Sequence, residues 1–243
     1  MAVDEWLMEW SADSGECGWR IYAWEEPTLS LGYFQSHEDR RRHAASLDCP
    51  AVRRLSGGGA IVHDAELTYS LALPREHPLA LRRRGLYEAV HATLIEVLGP
   101  RGIRACLYEG PGGPRAKRPP FLCFLRQAPG DVLVDSRKIA GSAQRRSVGA
   151  VLQHGSVLLA RSSAAPELNG INDLAKKPLC PSDLAEPWLE ALGARLGLAW
   201  QDRPLSPCER RRVADLVVAK YRTEAWTLRR GRPHGCGSRP SSI

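Results

Sequence analysis

The sequence predicts an α/β (α+β) fold, a mixed, largely antiparallel sheet covered by helices. Three observations lead there. Strand-like segments come in adjacent groups joined by short turns, and helical segments stand between the groups. Strict β-α-β alternation is absent, which argues against a doubly wound dinucleotide-binding fold. The 243 residues, 43% hydrophobic and 25% charged, suffice for a sizeable buried core. No apolar run approaches the length of a bilayer span. The start, "MAVDEWLMEW", is acidic and amphipathic, unlike a signal peptide, so a cytoplasmic protein is expected.

Residues 1–10 read as a helix, with Val3, Leu7, Met8 and Trp10 at helical spacing. "WRIYAWEEPTLSLGYFQ" reads as two strands around a turn at Glu25–Pro27. "SHEDRRRHAASL" reads as a helix capped by Ser36, with Glu38 and Asp39 in its first turn. "AVRRLSGGGAIVH" and "ELTYSLALP" read as a pair of strands around His63–Glu66. In the second, Leu67, Tyr69, Leu71 and Leu73 share one face, and Glu66, Thr68 and Ser70 the other. "RRGLYEAVHATLIEVLGPRG" is an amphipathic helix stopped at Gly99–Pro100. The Gly- and Pro-rich "EGPGGPRAKRPP" is loop. Residues 130–160 read as a three-strand meander turning at Asp135–Ser136 and Ser147–Gly149, with Lys138, Ala140, Ser142 and Gln144 on one face of its middle strand. Residues 181–199 and 206–221 read as helices. The expected organisation is one catalytic-size domain over 1–230 and a disordered tail over 231–243.

Charge and cysteine usage narrow the classes. Net charge is +7, and 29 of the 34 basic residues are arginine. The runs Arg40–Arg42, Arg82–Arg84 and Arg210–Arg212 are scattered without interleaved aromatics, so nucleic acid is not an expected partner. The cysteines (Cys17, Cys49, Cys106, Cys123, Cys180, Cys208 and Cys236) are odd in number and form no CxxC pair. Neither a disulfide framework nor a metal site is expected.

Several residues could carry chemistry. Gly57–Gly59 match neither GxGxxG nor a P-loop, and read as a strand bulge or as a wall approached by a ligand. His63 and His154 lie at or within strands, as structural or functional imidazoles. Lys138 is either an exposed strand charge or a desolvated, proton-exchanging amine. Cys123, in "FLCFL", is either a core thiol or a nucleophile activated by a nearby cation.

Together, "RRLSGGGAIVHDAELTYS", "RKIAGSAQRR" and "LQHGSVLL" resemble the signature segments of the lipoate-protein ligase A and octanoyltransferase family, with the biotin/lipoate protein ligase (class II synthetase-like) fold. "PTLSLGYFQ" and "KYRTEAWTLRR" are similar to its flanking segments, so the resemblance runs from Met1 to about Arg230. It implies one of two chemistries. Octanoyltransferases take an octanoyl group from acyl carrier protein onto a cysteine, then pass it to a lysine of a lipoyl domain or of the glycine cleavage H protein. Ligases activate lipoate with ATP and magnesium. "HDAELTYS" and a cysteine fifteen residues before Lys138 look like the transferase; "SGGGA" is closer to ligases. Gly130–Asp131 stands where the transferases tend to have a serine and aromatics.

The resemblance thus implies Cys123 as nucleophile and Lys138 as the cation that lowers its pKa, with no cofactor. It implies a substrate pocket from Arg54, Ser56, Gly57, Gly58, Gly59, His63, Gly141, Ser142, Ala143, His154 and Gly155. The alternatives are an ATP-dependent lipoate ligase and a non-catalytic acyl-carrier or nucleic-acid-binding module. No membrane partner is expected.

Overall fold

The computed structural model describes residues 1–111 and 119–229. The expected tail, Cys236 and the centre of the Gly/Pro loop lie outside these residues. Helix α1 (Ala2–Ser14) is longer than its apolar spacing indicates and stops at Gly15, which is left-handed with φ 74°. Strands β1 (Gly18–Tyr22), β2 (Thr28–Leu31), β3 (Ala51–Arg53), β4 (Ile61–His63) and β5 (Glu66–Pro74) follow. Then come α2 (Arg83–Leu98), β6 (Ala105–Leu107), β7 (Val132–Val134), β8 (Arg137–Arg146) and β9 (Ala150–Leu158). Helices α3 (Ile171–Ala175), α4 (Pro181–Leu196), α5 (Pro207–Leu216) and α6 (Glu224–Arg229) close the described chain, a π-helical turn at Val217–Tyr221 joining the last two.

The main sheet has the order β1-β5-β9-β8-β7-β6, and every neighbouring pair is antiparallel. A smaller sheet, β3-β2-β4, pairs β2 with β3 in parallel and with β4 antiparallel. The fold is therefore mixed and largely antiparallel, as the sequence predicts. The meander is present: Asp135 and Ser136 take positive φ of 47° and 62°, the geometry of a tight hairpin turn.

Three expectations are corrected. The strands on either side of Glu25–Pro27, β1 and β2, are not a hairpin but enter different sheets, and β4 and β5 likewise part after His63. The chain changes sheets at these points because both edges of β5 are paired, with β1 and β9, while β4 pairs with β2 in the small sheet. Residues 37–46 form two 3₁₀ turns, His37–Arg42 and Ala44–Ser46, and Ser36 makes no side-chain cap. The charged run His37–Arg42 has no buried residue, so no apolar stripe stabilises a longer helix. The edge strand β6 and the short helices α3 and α6 carry too little pattern to be foreseen.

Helices α2 and α4 cover one face of the main sheet. Leu86, Val90, Leu94, Trp188 and Leu192 pack there against Leu67, Leu71 and Leu73. Each such fully buried side chain contributes about 1.5–3 kcal/mol. On the opposite face, Trp6, Leu7 and Met8 of α1 pack with Leu216, Trp226, Ala72 and Leu152. A third cluster joins the small sheet (Leu29, Leu31, Val62) to Phe121, Leu122 and Phe124. It anchors the segment that carries Cys123. No helix among the described residues is long and apolar enough to cross a membrane.

Candidate active site

A parallel bridge between Ala60 and Leu122 ties the glycine loop to the segment that carries Cys123. Ala60 N–H donates to Phe121 O at 3.0 Å, and Cys123 N–H donates to Ala60 O at 2.7 Å. Cys123 thus opens the 3₁₀ turn Cys123–Leu125 directly beside the glycine loop. That contact explains the third glycine: a Cβ on Gly59 would lie 3.1 Å from Cys123 Cα and N, and 2.4 Å from an Arg126 nitrogen.

Lys138 reaches the same place from β8. Its Nζ stands 3.9 Å from Cys123 Sγ and 2.8 Å from Asp131 Oδ2. The Phe124 ring centroid is 5.3 Å away, within range of a cation–π contact. Gly141 clears the lysine's path: a Cβ there would sit 2.5 Å from Lys138 Cε and 2.8 Å from Nζ. The lysine is buried and paired, which excludes the exposed-charge reading.

Cys123 and Lys138 lie where two cavities meet. A narrow slot with about 50 Å³ of free volume is bordered by Gly57, Gly58, Ile61, His63, Gly141, Ala143 and Gly155. A wide groove of about 800 Å³ shares Cys123 and Lys138 with it and is bordered by Tyr108, Arg126 and Arg137.

The other sequence-predicted residues surround this junction in different roles. Arg54 borders the slot, but its Nη1 donates to Ser30 O at 2.9 Å, and its Nη2 to Gly57 O at 2.9 Å and Gly59 O at 2.6 Å. It clamps the glycine loop. Burial lowers its pKa to about 10, which leaves it charged at neutral pH. Ser56 is fully buried and bonds His154 Nε2, while His154 Nδ1 lies 3.1 Å from Asp4 Oδ2. Burial pushes His154 down, and Asp4 partly opposes this. His63 stacks on Trp24 at 4.3 Å, and its Nδ1 lies 2.5 Å from Glu66 Oε1. Among the described residues, the Nε2 of His63, on a ring that borders the slot, has no hydrogen-bond partner.

Ser142 borders the slot with both of its polar donors engaged. Its N–H donates to Tyr87 Oη at 3.0 Å. Burial lowers His91 to about 4, so that ring is neutral at physiological pH. His91 Nδ1 donates to Gly130 O at 2.6 Å, so Nε2 must accept from the Ser142 hydroxyl at 2.7 Å. Ser142 then accepts from Tyr69 Oη at 2.5 Å, which accepts from Gln153 Nε2 at 2.9 Å. A Cβ on Gly155 would lie 2.4 Å from the Ser142 hydroxyl oxygen.

Sequence reading missed Asp131, Tyr87, His91 and Asp4. Asp131 follows Gly130 before β7, where nothing local marks it as a site residue. Tyr87 and His91 stand four apart on α2, on a face that pattern alone assigns to packing.

The sequence and the fold are similar to those of known proteins. The family model for the lipoyl protein ligase A/B catalytic domain matches residues 1–177. A protein of Kyrpidia tusciae named octanoyltransferase LipM is 32% identical, covering 95% of this chain and 94% of its own. A protein of the same name from Geobacillus kaustophilus is 29% identical, covering 95% and 93%. The structure of a bi-partite lipoate protein ligase and its E2 lipoyl domain from Thermoplasma acidophilum superimposes with a TM-score of 0.70 at 20% identity, over 93% of this chain and 89% of that one. With a matching model over residues 1–177 and such relatives along nearly its whole length, the chain belongs to the lipoyl protein ligase A/B catalytic domain family.

Proposed function

We propose that this chain is an octanoyltransferase of protein lipoylation, acting in the cytoplasm through a thioester on Cys123. The observation that carries the reading is Cys123 Sγ, 3.9 Å from Lys138 Nζ, at the junction of a narrow slot and a wide groove. The likeness to octanoyltransferases over 95% of the chain supports it.

The donor is octanoyl-acyl carrier protein. The Cys123 thiolate attacks the donor's carbonyl carbon. A new C–S bond forms, the bond to the carrier sulfur breaks, and the carrier leaves as a thiol with the proton that Cys123 gave up. The Lys138 ammonium stabilises the attacking thiolate. The acceptor is a lysine of a lipoyl domain or of the glycine cleavage H protein. Its neutral amine attacks the Cys123 thioester, an amide forms, and the amine's proton returns to the departing sulfur. The donor thioester already carries the activation, so no ATP, metal or other cofactor takes part.

The slot holds the acyl tail, and the groove admits first the carrier arm and then the acceptor lysine. Burying six methylenes at about 0.8 kcal/mol each contributes roughly 5 kcal/mol to tail binding. The pocket residues act in two ways. Gly57, Gly58, Ala143 and Gly155 bound the tail, while Arg54, Ser56 and Gly59 hold the glycine loop in place.

The test is incubation with octanoyl-acyl carrier protein, followed by intact mass measurement. A hydroxylamine-labile octanoyl adduct is expected on the wild type and none on Cys123→Ala. Labelling of an acceptor that requires ATP and lipoate, and survives Cys123→Ala, would overturn the reading in favour of a ligase.

A further inference from the structure

Gly130 and Asp131 bring a buried carboxylate to the site. Asp131 is fully buried and accepts three hydrogen bonds. Lys138 Nζ donates to Oδ2 at 2.8 Å, Ala128 N–H to Oδ2 at 2.7 Å, and Tyr87 Oη to Oδ1 at 2.6 Å. Burial, with the charge of Asp131, pushes the Tyr87 hydroxyl above the usual phenol range, so it remains a donor. Gly130 is held in turn by the His91 imidazole on its carbonyl. The carboxylate is therefore fixed from both sides, and the lysine with it.

The charged and titratable groups facing this pair are Tyr87 and His91 of α2, Cys123 of the 3₁₀ turn and Arg126 just after it, Tyr108, Arg137 of β8, and Arg54, which clamps the glycine loop. The nearby carboxylates Glu88 and Glu167 pair instead with Arg84 and His43. Among the described residues, Asp131 is the one carboxylate paired with Lys138.

A buried ammonium without a counter-charge tends to lose its proton. In this site the thiolate cannot be that counter-charge throughout, because acylation removes its negative charge halfway through the cycle. We propose that Asp131 is a positioning residue, the permanent counter-ion that keeps Lys138 protonated and aimed at Cys123 through both half-reactions. This rests on the transferase reading. It adds that the working unit is a Cys123–Lys138–Asp131 triad fastened by Tyr87.

The test follows the pH dependence of Cys123 alkylation by iodoacetamide, read on the Cys123 peptide by mass spectrometry. Asp131→Asn is expected to move the midpoint upward by ~1–2 pH units, as Lys138→Met does. The double variant should move it no further than either alone, and Asp131→Glu should restore most of the wild-type profile. Melting curves identify variants that do not fold. If Asp131→Asn is one of them, Tyr87→Phe supplies the same test, with a smaller upward shift expected. An unchanged or lowered midpoint in a folded Asp131→Asn, or in Tyr87→Phe, overturns the proposal. Alkylation needs no acyl donor, so the two ideas fail separately. A missing octanoyl adduct sinks the transferase reading, whereas an unmoved midpoint sinks the role of Asp131.

Discussion

At the scale of single residues, the site depends on small side chains as much as on reactive ones. Gly141 shows why. A methyl group there would meet the far end of Lys138, not the backbone, so the fold can accommodate it by moving the lysine. Gly141→Ala should therefore leave thermal stability within a few degrees of wild type. Turnover should fall about 10- to 100-fold, equivalent to roughly 1.4–2.7 kcal/mol of barrier. Steady-state kinetics beside a melting curve checks both halves. A wild-type rate would mean that the placement of Lys138 tolerates displacement. The spacing of Cys123 and Lys138 was legible in the sequence through the resemblance. Asp131 was not, because nothing local marks a carboxylate as buried beneath a lysine seven residues on.

At the scale of elements, Arg53 fastens the last described helix to the small sheet. Its Nε and Nη2 donate to Thr227 O at 3.0 and 2.7 Å, which satisfies a carbonyl near the C-terminus of α6. Its Nη1 donates to Gly32 O at 2.9 Å and Gln35 O at 2.8 Å in the turn after β2. Trp226 Nε1 returns a bond to Arg53 O at 3.0 Å. Arg53→Met keeps most of the side chain's bulk but leaves these buried carbonyls unpaired. A loss of about 3–5 kcal/mol in urea unfolding is expected. Limited proteolysis should then cut near α6 before the core. A loss below about 1 kcal/mol would show that α6 is held by Trp226 alone. The sequence shows two adjacent arginines, Arg53 and Arg54, with nothing to separate their tasks. Structure assigns one to α6 and the other to the glycine loop.

For the whole molecule, stability depends on keeping α2 and the sheet joined through neutral imidazole. In the unfolded chain, His91 takes up a proton near its ordinary value of 6.5; in the fold, burial delays this to about 4. Between those values the unfolded state binds more protons. The His91 contribution is therefore intact above about pH 6.5 and declines as pH falls toward 4, by about 3 kcal/mol at most. His154, also pushed down by burial, adds to the slope. Urea unfolding from pH 7 to 4.5 should show the decline, and His91→Gln should flatten it; parallel slopes would contradict this. By itself the sequence determined the largely antiparallel α/β class, the β7–β8–β9 meander and helix α2, because turns and periodicity are local; Cys123 and Lys138 stood out only through the family resemblance. Only the tertiary structure decided that β5 lies between β1 and β9, that β1 parts from β2 and β4 from β5, and that Asp131 meets Lys138. Those outcomes follow from burial. The two faces of β5 are covered by different helices, α2 and α4 on one side and α1 on the other, and a buried lysine keeps its charge best beside an opposite charge. Neither partner is marked in the residues next to it.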